Sequence, residues 1–216
     1  MSEAREVIFD RIRAGLGRGP LTAAQRQAIE AHEQTALAAA VRPRIDSALD
    51  RRFIDKLTAV AGTVARVPGA DKVFTAIAAH LDKQGLARQL VAAPALQSLD
   101  WPADWKVRFG ATRGEDLVAV TPCFVAVAET GSVVLLSGAE QPTSLNFLPD
   151  YHIVLVKASQ LVQHIEDVWP PFRALETVPR SVNFITGPSK TADVEQTIQL
   201  GAHGPRSLHV ILIDNC

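Results

Sequence analysis

Residues 179–214 (PRSVNFITGPSKTADVEQTIQLGAHGPRSLHVILID) constrain the fold of this chain more than any other stretch. Residues 181–186 are rich in β-branched and aromatic side chains, which predicts a buried strand, and residues 208–213 predict a second one. A Gly-Pro pair ends the first strand, and residues 192–200 predict a short helix between the two. This arrangement is typical of an α/β sheet. Because open α/β sheets bind ligands at the carboxyl ends of their strands, we expect a site in the loop after the first strand.

The rest of the chain predicts helices first and then strands mixed with helices. This order predicts an α/β fold with a mostly parallel open sheet flanked by helices, preceded by an N-terminal helical extension. A proline at position 43 separates a helical arm, residues 1–43, from an α/β domain, residues 44–216. The predicted helices are residues 2–16, 22–41, 46–67, 71–84 and 159–169, and the predicted strands are residues 89–92, 106–109 and 152–156.

The arm carries few large apolar residues in its second helix, so that helix would bury little surface by itself. Two interpretations stay open. The arm either packs on its own domain or docks on another chain, and in the second case it can produce a homo-oligomer.

Composition bears on partners and compartment. The net charge of −1 provides no bulk electrostatic attraction to nucleic acid or to an anionic membrane. Apolar runs are too short for membrane insertion and the N-terminus lacks the apolar core of a signal peptide, so we expect a cytoplasmic protein. Cys123 and Cys216 are too few for a four-thiolate iron–sulfur cluster, and the histidines lack helical HxxxH spacing with a carboxylate. No metal or cofactor is therefore expected on this chain.

Residues 124–138 (FVAVAETGSVVLLSG) predict a hairpin or kinked strand with Glu129 at the bend. Glu129 is the best candidate for chemistry, because a partly buried carboxyl group can act as a general acid or base. The alternative is a turn carboxylate that accepts backbone N–H bonds. Thr130, Gly131 and Ser132 complete the turn and add two hydroxyl groups to the predicted pocket.

Residues 187–193 (GPSKTAD) predict an anion-binding loop. Backbone N–H groups after Gly187, the hydroxyls of Ser189 and Thr191, and the ammonium of Lys190 suit a carboxylate or phosphate at a helix start. The alternative is simple helix capping by the hydroxyl residues. The loop is not a Walker A motif, because Ser precedes the Lys where that motif has Gly.

Two further polar residues are candidates. His203 stands in GAHGP between glycines, where an imidazole can bind a ligand or shuttle a proton, or simply bond the backbone of a turn. Asn183 lies in an apolar strand and is either a satisfied core amide or a ligand-binding residue. Glu129 and His203 are thus the predicted catalytic residues.

Three segments of the sequence resemble the LUD domain family: AVAETGSVVL (126–135), LPDYHIVLV (148–156) and residues 178–214. The resemblance covers about residues 45–216 and leaves the arm outside. It implies a fold similar to that of sugar-phosphate isomerases, coenzyme A transferases and formyltetrahydrofolate cyclo-ligases. It also implies a role in oxidising L-lactate to pyruvate alongside two partner proteins, one or both carrying iron–sulfur clusters.

Two function classes follow from these observations. The first is a subunit or accessory protein of a lactate-oxidising system, with a site for a small organic anion and iron–sulfur clusters on its partners. The second is a stand-alone enzyme acting on a phosphorylated or carboxylated small molecule, similar to an isomerase, transferase or cyclo-ligase. Hydride transfer by the chain alone is disfavoured, since no G-x-G-x-x-G follows a predicted strand.

Overall fold

The structure is a computed structural model that describes residues 3–38, 42–191, 199–201 and 203–215. The chain divides into two compact units, Met1–Pro43 and Arg44–Cys216. The helices are α1 (Glu3–Leu16), α2 (Ala23–Ala38), α3 (Leu49–Ala59), α4 (Val73–Gln84) and α5 (Trp169–Arg173). The strands are β1 (Thr63–Gly69), β2 (Gln89–Ala92), β3 (Lys106–Phe109), β4 (Val118–Pro122), β5 (Val125–Val127), β6 (Ser132–Leu136), β7 (Tyr151–Lys157), β8 (Leu161–Val162), β9 (Val182–Ile185), β10 (Lys190–Thr191), β11 (Gln199–Leu200) and β12 (Ser207–Asn215).

Six strands form one parallel sheet in the order β1-β12-β7-β4-β2-β3. This confirms the predicted fold class. Successive side chains of a strand point to opposite faces of the sheet. On β12, Ile211 packs in the same buried cluster as Ile77 of α4, whereas Leu212 packs in the cluster that contains Leu57 of α3. Helices α4 and α3 therefore cover opposite faces, as the continuous apolar runs of buried parallel strands require.

A second sheet of four strands has the order β8-β5-β6-β9. Strands β5 and β6 are an antiparallel hairpin, which confirms that prediction for residues 124–138. The prediction for residues 181–186 is wrong in part, because β9 pairs antiparallel with β6 and its Phe184 is 37% exposed. β9 therefore lies at the edge of the second sheet and not in the parallel sheet beside β12. Strand pairing partners decided this outcome, and residue composition does not specify them.

The predicted helix at residues 46–67 is wrong beyond Ala59, where α3 ends. Ala61 has a φ of +70°, and a Cβ on Gly62 would lie 2.4 Å from Leu57 Cδ1, so the chain turns tightly here. The residues that follow form β1 and pair with β12, for example Val64 with Val210. The spacing of the valines fits both a helix and a strand, and sheet pairing selects the strand.

Two other helix predictions also need correction. Residues 159–169 form 3-10 segments and the short strand β8, which pairs with β5. Residues 199–200 of the predicted helix at 192–200 are strand β11, antiparallel to β10, and residues 192–198 lie outside the described part. In the arm, α1 and α2 agree with the predicted helices, and Thr22 Oγ1 accepts a hydrogen bond from Gln25 N at 3.2 Å. Among the described residues, no helix has both the length and the apolar character to cross a bilayer.

Candidate functional site

The turn between β5 and β6 packs directly against helix α3. Gly131 has a φ of +72°, and a Cβ at this position would lie 2.4 Å from the backbone nitrogen of Leu57. Only glycine tolerates both the backbone angle and this approach. Gly187, which follows β9 and has a φ of +83°, makes a similar approach to Val60 at the end of α3. Helix α3 thereby holds the two glycine turns that the sequence singled out.

A chain of three hydroxyl groups links these two turns. Ser132 is buried, and its Oγ lies 2.6 Å from Thr130 Oγ1 and 2.5 Å from Thr186 Oγ1. Each group can donate one hydrogen bond and accept another, so the chain can rearrange its protons without moving heavy atoms. Ser132 therefore acts as the connection between the hairpin turn and the end of β9.

A cavity of about 220 Å³ opens beyond Thr186, between the end of β9 and the starts of β7 and β12. We call it the Ser189 cavity, and its polar lining includes Asn146, His152, Thr186, Ser189 and His203. Gly187 also lines it. Three of the predicted site residues, Gly187, Ser189 and His203, therefore line the same cavity. The cavity lies at the amino ends of β7 and β12, opposite to the edge expected from the α/β rule, because β9 belongs to the other sheet.

Two buried side chains of the cavity have polar atoms without hydrogen-bond partners among the described residues. Asn146 is 0% exposed, and neither Oδ1 nor Nδ2 is bonded. His152 is 1% exposed, with Nε2 2.8 Å from Thr121 Oγ1 and Nδ1 unbonded. Burial lowers the pKa of His152 to about 3, so its imidazole is neutral near pH 7. Buried polar groups normally have partners, so a polar ligand or water is expected beside them.

The loop at residues 187–193 differs from the predicted strand-to-helix cradle. Ser189 N donates to Pro205 O at 2.8 Å, and Gly201 N donates to Ser189 O at 3.0 Å. Residues 190 and 191 continue as strand β10. The Ser189 amide is therefore already bonded and is not free to bind an anion in the cavity. Lys190 is exposed, and the side chain of Thr191 lies outside the described part.

Glu129 and Asn183 lie away from the cavity lining. Glu129 Oε2 lies 3.3 Å from His164 Nδ1 and 3.3 Å from Ile165 N, in a pair with a buried histidine. Asn183 is half-buried on β9, and its Nδ2 is unbonded among the described residues. The two predicted catalytic residues, Glu129 and His203, are therefore not in one pocket. No group of three or more potential metal ligands occurs in the described part of the chain.

The sequence prediction did not select Asn146, His152 or His164 as site residues. Asn146 precedes a predicted strand in a segment without a motif, so no local signal marks it. His152 sits inside the apolar strand β7. A polar residue within a buried strand is itself a signal, because it needs a partner that the strand does not supply.

Comparison with known proteins shows what this chain is similar to. Residues 117–213 match the LUD domain model. A protein from Halalkalibacterium halodurans named lactate utilization protein C is 27% identical over 99% of this chain and 100% of its own length. A protein of that name from Anoxybacillus flavithermus is 34% identical over 48% of this chain, and this alignment spans about half of that relative, 51%.

A crystal structure of a DUF162 family protein from Deinococcus radiodurans has the same fold, with a TM-score of 0.58. Its sequence is 24% identical, and the superposition covers 79% of this chain and 99% of that chain. The family match confirms the resemblance seen in the three sequence segments. Residues 117–213 are therefore similar to the LUD domain, and the chain is similar along its length to a protein named lactate utilization protein C.

Proposed function

We propose that this protein acts in lactate utilization and binds a small organic anion, L-lactate or pyruvate, in the Ser189 cavity. The similarity to relatives named lactate utilization protein C supports the role. The pair of unbonded polar side chains, Asn146 and His152, supports the ligand. This pair is the observation that carries the proposal.

The chemistry of the pair suits a carboxylate. The Asn146 amide has two N–H donors, and His152 has an N–H at Nδ1 when Thr121 donates to its Nε2. Hydrogen bonds from such donors to a charged carboxylate are stronger than bonds between neutral groups. Ser189 can bond the hydroxyl of lactate, and His203 can accept its proton. The ligand would also satisfy buried groups that otherwise lack partners.

Oxidation of lactate to pyruvate breaks the hydroxyl O–H bond and the C2–H bond and releases two electrons and two protons. We propose that iron–sulfur proteins working with this chain accept the two electrons, as the LUD resemblance implies. The chain itself would bind and orient the substrate, the hydroxyl proton would pass to His203, and the C2 proton would pass to water as the electrons leave. In this reading the protein is a subunit or accessory protein of a lactate-oxidising system.

The binding step can be tested with one substitution and a matched control. L-Lactate or pyruvate should raise the melting temperature of the full chain in a saturable way, and Asn146→Leu should abolish the rise. Asn183→Leu removes an amide that does not line the cavity, so it should keep the ligand effect. Equal stabilisation of wild type and Asn146→Leu would exclude this cavity as the binding site.

The alternative of a stand-alone enzyme is favoured by the two histidines, His152 and His203, in one cavity. Purified chain can be incubated with phosphorylated and carboxylated small molecules, and the mixtures analysed by mass spectrometry. Conversion of one of them by the chain alone would favour an isomerase, transferase or cyclo-ligase-like enzyme. No conversion, together with iron and acid-labile sulfide in proteins captured with the chain from lactate-grown cells, would favour the subunit.

A further inference from the structure

A larger cleft lies at the edge of the parallel sheet opposite to the Ser189 cavity. Its volume is about 710 Å³, within the range of roughly 300–1,000 Å³ that is typical of small-molecule sites. Residues at the carboxyl ends of strands line it: Pro122 of β4, Leu155 of β7 and Ile213 of β12, with Ala70 directly after β1. We call it the carboxyl-edge cleft.

The strand order explains why a cleft forms here. From β2 the chain leads outward to β3, whereas from β4 it leads the other way to β7 and β12. Connections that leave neighbouring strands in opposite directions open a crevice at the carboxyl ends, where open α/β sheets bind ligands. Leu96 and Leu99 after β2 line the cleft together with Pro122 and Cys123 at the end of β4. The cleft therefore lies beside the topological switch point.

The walls of the cleft are apolar and partly aromatic. Phe74, in the first turn of α4, lines the cleft, and its ring centroid lies 4.9 Å from that of Trp101 and 6.0 Å from that of Trp105. Trp101 and Trp105 contact the Phe74 ring and fix its orientation. Fixed aromatic faces favour flat ring systems, which stack on them in offset or tilted geometry.

One cation lies at the rim of this apolar space. Lys157 ends β7, is exposed and forms no ion pair within the described part of the chain. Asp71 is engaged with Lys72 at 3.3 Å, and it opposes binding of an anion at the start of α4. Asp100 can accept hydrogen bonds from hydroxyl groups. The charges thus suit a ligand with one anionic group, located near Lys157.

We propose that the carboxyl-edge cleft binds a molecule of mononucleotide size, in which a planar aromatic ring system is joined to a single phosphate group. The ring lies against Phe74 and the phosphate at Lys157. Flavin and adenine mononucleotides share this chemistry. The site is separate from the Ser189 cavity, so its existence does not depend on lactate binding.

The test is equilibrium dialysis of the full chain with flavin mononucleotide and with adenosine monophosphate, alongside riboflavin and adenosine. Either flavin mononucleotide or adenosine monophosphate should bind saturably at millimolar concentration or below. The one that binds shows whether the ring system of the ligand is a flavin or an adenine. Lys157→Ala should weaken that binding at least tenfold and leave the matching nucleoside unaffected. Lys106→Ala removes an exposed lysine from β3, away from the cleft, and should bind as wild type does.

A second readout locates the ligand. In Trp169→Phe the remaining tryptophans are Trp101 and Trp105, so ligand in the cleft should change their fluorescence. Leu99→Glu at the rim should prevent the change, whereas Leu117→Glu, also exposed but outside the cleft, should not. The proposal would be overturned if neither flavin mononucleotide nor adenosine monophosphate bound saturably. It would also be overturned if one of them bound and both Lys157→Ala and Leu99→Glu left that binding intact.

Discussion

Among individual residues, the buried histidines make the stability of the fold depend on pH. Burial lowers the pKa of His209 to about 3, with smaller effects of His80 and Lys83, and burial alone lowers that of His152 to about 3. His209 stacks on His80 at a ring-centroid distance of 3.8 Å, and its Nδ1 lies 2.8 Å from Thr63 Oγ1. Both folded-state pKa values lie below the ordinary value of 6.5. The folded chain therefore excludes protons that the unfolded chain binds.

The sign of the pH dependence follows from this difference. Below pH 6.5 the unfolded state takes up protons, so the free energy of unfolding falls as the pH is lowered towards 3. Each histidine contributes a slope of about 1 kcal/mol per pH unit. We predict that His209→Gln, which keeps a polar partner for Thr63, reduces the slope between pH 6.5 and 5 by about one proton. Urea unfolding at several pH values measures it, and equal slopes in both proteins would contradict this prediction.

Among elements, helix α3 organises the two turns around the hydroxyl chain. Gly131 and Gly187 both approach its backbone, next to Leu57 and Val60. These contacts position the Thr130–Ser132–Thr186 chain at the wall of the Ser189 cavity. The glycines are thus required by packing as well as by backbone angle.

A pair of substitutions separates these two requirements. Gly85 at the end of α4 has a φ of +67° with open space around it, close to the +72° of Gly131. Both Gly→Ala changes strain the backbone by about 1–2 kcal/mol, but only Gly131→Ala also drives a Cβ into α3. We predict that Gly131→Ala lowers the free energy of unfolding by about 2 kcal/mol more than Gly85→Ala. Denaturant titration measures both, and equal losses would mean that α3 moves aside without cost.

At the scale of the whole molecule, the two units differ in whether their apolar side chains are buried or exposed. The buried apolar clusters of the described residues lie between Phe53 and Ile213, so the second unit contains its own core. In the arm, α1 exposes Val7, Ile8 and Leu16 by 47%, 57% and 63%. An exposed apolar stripe on a helix favours association with another apolar surface.

We predict that residues 44–216 fold without the arm and unfold cooperatively. We also predict that deletion of residues 1–43 lowers the solution mass to that of a monomer, because the α1 stripe associates with a second copy. Sedimentation of the full and shortened chains measures the mass. An unchanged number of copies per particle would remove the arm from the interface, and loss of cooperative unfolding would show that the domain depends on the arm.

The sequence by itself determined the fold class and the resemblance to the LUD domain. Apolar runs rich in β-branched residues, such as residues 208–213, are typical of strands buried on both faces of a sheet, and the LUD resemblance came from ordered local segments. The hairpin around Gly131 was also predictable, since alternation and turn chemistry are local properties. Sequence reasoning likewise selected Gly187, Ser189 and His203, which line one cavity.

Only the tertiary structure decided which sheet each strand joined and which edge each pocket occupied. Residues 63–67 fit a helix by their spacing, but they pair with β12 as part of a strand, and β9 joins the second sheet through β6. Because β9 pairs with β6, the loop at residues 187–191 lies at the amino edge of the parallel sheet and lines the Ser189 cavity. The carboxyl edge of that sheet is lined by other residues, which form the carboxyl-edge cleft. The physical reason is that strand pairing and the burial of polar groups such as Asn146 depend on contacts between residues far apart in sequence. The local spacing of residue types does not specify those contacts.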